Sequence, residues 1–254
     1  MDIMRKQYWV IFLIMYLFAA NELLAQTIRP RKIEAGIFAG PSICWAVSNT
    51  QGYKTTGVKG GGVYGINIDL NLHQTSSNYY FSTGINARHI RYGLEFTDNY
   101  SYYNDKTYQQ EIEKSALVTS TFNTVYLTIP TAIKLKTSTF FDRFVFFGLV
   151  GLEHGLAVSS KSNDKITRED GTEGKYAKID QYKKNKNTAL FKESLYIVLG
   201  AEFVIKDNTK ATFGIGYNHG FNNMFRKNYK NSINDQIAVN ARTHCIEFQF
   251  GIIF

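Results

Sequence analysis

His244-Cys-Ile-Glu-Phe-Gln-Phe-Gly-Ile-Ile-Phe254 decides how this chain is to be read. In an extended strand successive side chains point to opposite faces. Ile246, Phe248, Phe250, Ile252 and Phe254 therefore share one face, and Cys245, Glu247, Gln249 and Gly251 share the other. One face is wholly apolar and one is polar or small. Two architectures use such a strand. A soluble barrel or sandwich turns the apolar face inward, and a membrane barrel turns it outward to lipid.

The remainder of the chain supplies seven more candidate strands, several of which alternate in the same way. The candidate strands run near 32–48, 60–73, 79–96, 121–136, 143–159, 190–205, 211–222 and 241–254. In the second, Tyr64, Ile66, Ile68, Leu70 and Leu72 oppose Gly65, Asn67, Asp69 and Asn71. In the fourth, Val125, Leu127, Ile129, Ile133 and Leu135 oppose Tyr126, Thr128, Pro130 and Lys134. The sixth sets Leu195, Ile197, Leu199, Ala201 and Phe203 against Ser194, Tyr196, Gly200 and Glu202. The fifth is apolar on both faces and its parity stays open. Pro130, which brings no amide N–H to the ladder, predicts a bulge or bend in the fourth strand.

Connections of two lengths alternate along the chain. Residues 74–78, 137–142 and 206–210 are short, whereas 49–59, 97–120, 160–189 and 223–240 are long and polar. Short turns on one side and long loops on the other describe an antiparallel up-and-down barrel in an outer membrane, with turns facing the periplasm. Lipid demands closure, since an open edge leaves unpaired backbone groups in hydrocarbon. The expected fold is thus all-β, an eight-stranded antiparallel up-and-down transmembrane barrel. Tyr79, Tyr80, Phe81, Phe140, Phe141, Phe144 and Phe254 fall near the short-turn end, where an interfacial aromatic belt belongs.

The first 25 residues read as a signal peptide. Arg5 and Lys6 precede an uncharged run from Tyr8 to Ala20, and Leu23-Leu24-Ala25 leads to Gln26. The expected organisation is a signal peptide over 1–25 and one barrel domain over 26–254, delivered through the periplasm to the outer membrane. Aromatic residues make up 15% of the chain, with Gly 20 and Pro 3, which suits strands and tight turns. The net charge is +8, and eight Lys or Arg between Ser160 and Ala189 outnumber five acids. In a secreted chain such an excess points to outer-membrane lipid and lipopolysaccharide as partners, with no nucleic acid.

With lipid outside, the polar faces enclose Glu34, Asp69, Arg88, Lys134, Glu202 and Glu247, and Glu153, on the strand of open parity, is expected to join them. A barrel of about eight strands is only wide enough to be filled by its own side chains. Heights along the strands predict Lys134 near Asp69 or Glu202 and Arg88 near Glu153, a lumen charge network plugging the barrel. Cys44 and Cys245 lie near the tops of the first and last strands, neighbours in a closed barrel. They are expected to be close. Whether they form a disulfide depends on the barrel's shear, which the sequence leaves open.

The search for chemistry yields no catalytic, cofactor-binding or metal residues. His73, His89, His154, His219 and His244 are the five histidines. None has a serine on its own strand face where a nucleophile is needed, so interfacial or hydrated roles are expected for them.

Tyr126-Leu-Thr-Ile-Pro-Thr-Ala-Ile-Lys-Leu-Lys136 resembles the signature strand of the PorT-like outer-membrane barrels of Bacteroidetes. Tyr126, Leu127, Ile129, Pro130, Ile133 and Lys134 match that strand, and Thr131 and Ala132 depart from its usual bulky aliphatic pair. The final strand, ending on Phe254, likewise resembles the last strand of outer-membrane barrels. The resemblance implies an eight-stranded barrel without catalysis and, through PorT, a link to type IX protein secretion. The expected function is structural or interactive, as an accessory to a secretion or other envelope complex, with envelope proteins as partners. An outer-leaflet lipid-modifying enzyme and a narrow small-solute channel are the alternatives.

Overall fold

The computed structural model describes residues 31–254 except 74–75, 77, 105–108, 142, 168–172, 175–187, 207, 227–228, 231–235 and 238. The proposed signal peptide lies outside the described residues. Eight long strands form the body: β1 (Ile33–Ser48), β2 (Lys59–Asn71), β3 (Tyr79–Asn104), β4 (Gln109–Lys136), β5 (Phe144–Thr167), β6 (Phe191–Lys206), β7 (Thr209–Gly220) and β8 (Ala241–Ile253). Each pairs antiparallel with its sequence neighbour. β1 also pairs with β8, from Gly36↔Ile253 to Ser48↔Ala241, so the sheet closes on itself. Among the described residues no helix is long and apolar enough to cross a membrane.

The two faces of this sheet are inverted relative to a soluble barrel. Ile37, Ile66, Ile85, Ile129, Val150 and Leu199 are exposed on the outside, Leu199 at 66%. Asp69, Arg88, Glu153, Glu202 and Glu247 are each 0% exposed. Burial therefore selects the charged face and exposure the aliphatic one, the reverse of what water selects. The fifth strand, undecided by sequence, sorts in the same way. Phe146, Val150, Leu152 and Leu156 face out, while Val145, Phe147, Leu149 and Glu153 face in.

Three local features differ from the sequence expectation. Residues 97–104 and 109–120, expected as loop, continue β3 and β4 as a paired hairpin down to Asn104↔Gln109. β5 likewise runs on through Ser160 to Thr167, paired with β4. Polar alternation beyond the apolar band is compatible with a strand in water, and length alone does not separate it from a loop. Secondly, Pro130 causes no register shift. The β3–β4 ladder lapses between Thr83↔Thr131 and Asn86↔Thr128 and resumes in the same register, since only the missing N–H is lost. The bulge lies instead at Val125/Tyr126 against β5. Thirdly, Tyr80 is enclosed in the lumen, not part of an outer belt, and its ring centroid lies 4.4 Å from Lys136 Nζ.

Candidate functional site

The enclosed space is layered from the short-turn end upward. In the lowest layer three carboxylates meet three ammonium groups. Lys134 Nζ lies 2.7 Å from Asp69 and 2.8 Å from Glu202. Lys136 Nζ reaches Glu34 at 2.5 Å and Glu202 at 3.0 Å. Lys210 Nζ reaches Glu34 at 2.9 Å and Glu202 at 3.3 Å. Ser82 donates to Asp69 at 2.6 Å. Formal charge cancels within this cluster, as burial of several ions demands. The carboxylates of Glu34, Asp69 and Glu202 are close enough to hold a cation, but the three lysines already occupy that role.

Above it, Ala132, Phe147, Leu149, Tyr196 and Val198 form an apolar layer. Gly200 makes room for Phe147, because a Cβ there would stand 2.5 Å from its ring. A cavity of about 50 Å³ remains, lined in part by Phe38, Asn67, Asn86, Phe147, Tyr196 and Gln249. That is space for about three waters, not a passage.

The next layer is a second neutral network. The Arg88 guanidinium makes a two-pronged bond to Glu153, Nε to Oε1 at 2.9 Å and Nη2 to Oε2 at 2.7 Å. Its Nη1 donates to Glu247. Such a fork is the strongest geometry for this pair. Gly216 stands directly opposite Glu247, and a Cβ there would lie 2.8 Å from the carboxylate. Lys192 Nζ donates to Ser194 at 2.9 Å and to Asn218 at 2.5 Å, and Asn218 Nδ2 donates onward to Glu153 at 3.1 Å. Gln249 Nε2 donates to the Tyr196 hydroxyl at 2.5 Å and to Glu247 at 2.6 Å.

The top of the lumen is mainly apolar, with a buried hydroxyl chain through Thr124, Ser160 and Thr188 at its side. Ile90, Tyr92, Leu94, Phe96, Val118 and Phe122 point inward, and Met224, Phe225 and Val239 close over them. The outer faces there reach water, so the apolar groups gain by turning inside. Cys44 and Cys245 face each other across the β1–β8 seam at this level, as a disulfide with Cα atoms 4.1 Å apart.

The structure thus brings Asp69, Lys134 and Glu202 into one cluster and Arg88, Glu153 and Glu247 into another. Tyr126 lies buried in the upper apolar plug, and Pro130 and Ile129 of the same strand lie between the levels. Sequence reasoning missed Lys136, Lys192 and Lys210. Each shares parity with a recognised inward residue of its strand (Lys134, Ser194, Gly214), and carrying that parity to the strand ends finds all three.

On the outer face, β4, β5 and β6 place three polar groups together. His154 Nε2 is 3.1 Å from Thr131 Oγ1, and His154 Nδ1 is 2.5 Å from Glu193 Oε2. They stand among exposed Ile129, Leu152, Leu156 and Phe191. A search along one strand could not find this trio, since each member comes from a different strand.

Among solved structures the chain is similar to neisserial surface protein A, with 13% identity and a TM-score of 0.38, covering 88% of this chain and 96% of that one. It is similar also to the outer membrane protease OmpT from Escherichia coli, with 11% identity, TM-score 0.40 and coverage of 92% and 99%. The outer membrane protein OprG from Pseudomonas aeruginosa gives 11%, 0.36, and 89% and 98%. No curated protein sequence matches the chain. Residues 24–226 match the family described as an outer membrane protein beta-barrel domain. With an apolar exterior, an enclosed charged interior and a closed eight-stranded sheet, this chain belongs to that family and resides in the outer membrane.

Proposed function

We propose that this protein is a non-conducting, PorT-like interaction protein of the envelope, acting as an accessory to a secretion or other outer-membrane complex. The observation that carries the reading is the filled lumen. Two charge-balanced networks, an apolar layer between them and an apolar plug above fill it, and the cavity beside the apolar layer is only about 50 Å³. A solute would have to break buried ion pairs to pass, at about 3–5 kcal/mol for each pair left unpartnered. Function then belongs to the outside: the long β3–β4 hairpin, the basic connection after β5, and the lipid-facing wall. Lipopolysaccharide and neighbouring envelope proteins are the partners this surface suits. Planar-bilayer recordings of the purified protein are expected to show no steady conductance, and a stable open level would overturn the reading. Co-purification from native membranes is expected to recover a protein complex.

One observation favours a second reading, an outer-leaflet lipid-modifying enzyme. The Thr131–His154–Glu193 trio has the order hydroxyl, imidazole, carboxylate used to activate a nucleophile. It also lies on the lipid face, where ionisable groups are costly. Mass spectra of lipid A from cells carrying H154A, compared with wild type and a deletion strain, separate the two. The accessory reading expects all three spectra to agree.

A further inference from the structure

His219 on β7 and His244 on β8 are directly opposed across the ladder. Both are half-buried on the outer face, His219 one residue before β7 ends at Gly220 and His244 three residues after β8 begins at Ala241. They therefore sit at the loop-side rim, open to the external medium. Their Nδ1 atoms are 3.1 Å apart, and the Tyr217 hydroxyl is 2.8 Å from His244 Nδ1.

Protons join these atoms only two at a time. A neutral imidazole nitrogen carries either one lone pair or one N–H. His244 Nδ1 has two partners and can make a full bond with only one, whichever tautomer it adopts. A cation among the three atoms would engage all three lone pairs at once. The spacing is compatible with one, because metal–ligand bonds of about 2.0–2.1 Å place adjacent ligand atoms about 2.8–3.4 Å apart at angles between square and tetrahedral. The donors are two imidazoles and a phenol, a set that favours copper and zinc over calcium or magnesium. Arg242, exposed two residues earlier on the same face as His244, adds to that bias. It opposes a weakly held hard cation more than a strongly bonded one.

We infer that Tyr217, His219 and His244 form a surface site for a divalent first-row transition metal, Cu²⁺ before Zn²⁺, at the extracellular rim of the β7–β8 seam. The site is independent of the lumen networks and of the trio at Thr131.

The protein carries its own reporter. Trp45 on β1 stacks against His244 with ring centroids 5.5 Å apart. The other tryptophan, Trp9, lies in the expected signal peptide, and W9F leaves Trp45 as the sole emitter whether or not that segment is removed. Titration of the W9F protein in detergent with Cu²⁺ alone is expected to quench Trp45 in a saturable, one-to-one manner, with Zn²⁺ restoring emission by competition. H219Q or H244Q is expected to weaken binding by about a hundredfold, the gain normally made by linking two donors. His89, which stacks on Tyr64 elsewhere on the outer face, serves as the control, and H89Q is expected to leave the midpoint unchanged. Isothermal titration repeats the comparison without relying on Trp45, and heat-modifiable migration in gels checks that each variant is folded. Linear, unsaturable quenching, or equal affinity in folded H219Q/H244Q and parent, would overturn the site.

Discussion

Arg88 is the residue on which the upper network turns. It is 0% exposed and bridges carboxylates from β5 and β8. R88M keeps most of the volume and removes the charge, leaving Glu153 and Glu247 buried side by side. It is expected to cost about 3–5 kcal/mol in urea unfolding from detergent or lipid. Adding E153Q and E247Q to R88M should recover part of that loss, because the penalty is for unpaired charge rather than for a missing bond. Parity alone revealed Arg88 and Glu247 as inward residues, whereas Glu153, on the strand of open parity, was placed as the expected partner of Arg88. The Tyr196–Gln249–Glu247 link was not legible, because contacts across a lumen depend on shear and rotamer, and neither leaves a trace in one sequence. Lys136, Lys192 and Lys210 escaped for another reason. Lysine at a strand end reads as solvated, and only the enclosed carboxylates around it reverse that.

At the scale of elements, apolar alternation marks only the part of a strand that meets lipid. β2 and β7 were therefore readable over most of their length, whereas β3, β4 and β5 continue well past Phe96, Thr121 and Ser159. Beyond those points the outward positions no longer need to be greasy, and a paired ribbon in water looks like a polar loop. The β3–β4 projection is held by its own ladder, Tyr100↔Glu113 to Asn104↔Gln109, beyond the register shift near Asp98. Replacing residues 100–113 with a short turn is expected to leave the barrel folded, with stability changed by less than about 1 kcal/mol. Heat-modifiable migration and urea unfolding measure this. The same variant is expected to lose the protein partner recovered from native membranes, if the hairpin is the docking element.

For the whole molecule, the governing fact is which side of the sheet meets solvent. Leu199 sits mid-strand on β6, opposite Gly148 and Ile215, and is 66% exposed. In water an exposed Leu→Arg change is close to neutral. In a bilayer L199R is expected to cost about 2–4 kcal/mol, measured by reversible unfolding from phospholipid vesicles. The alternation was enough to place the eight strands and their order. The apolar plug was not foreseen, since Ile90, Tyr92, Leu94 and Phe96 break the rule that inward means polar once the barrel rises clear of lipid. Finally, the Cys44–Cys245 bond joins the first and last strands, which close the ring, across a separation of 201 residues. It welds the one seam whose two strands are not joined by a neighbouring turn or loop. The wall therefore cannot part between β1 and β8 while the weld holds, and a chain whose ends have not yet aligned cannot acquire it.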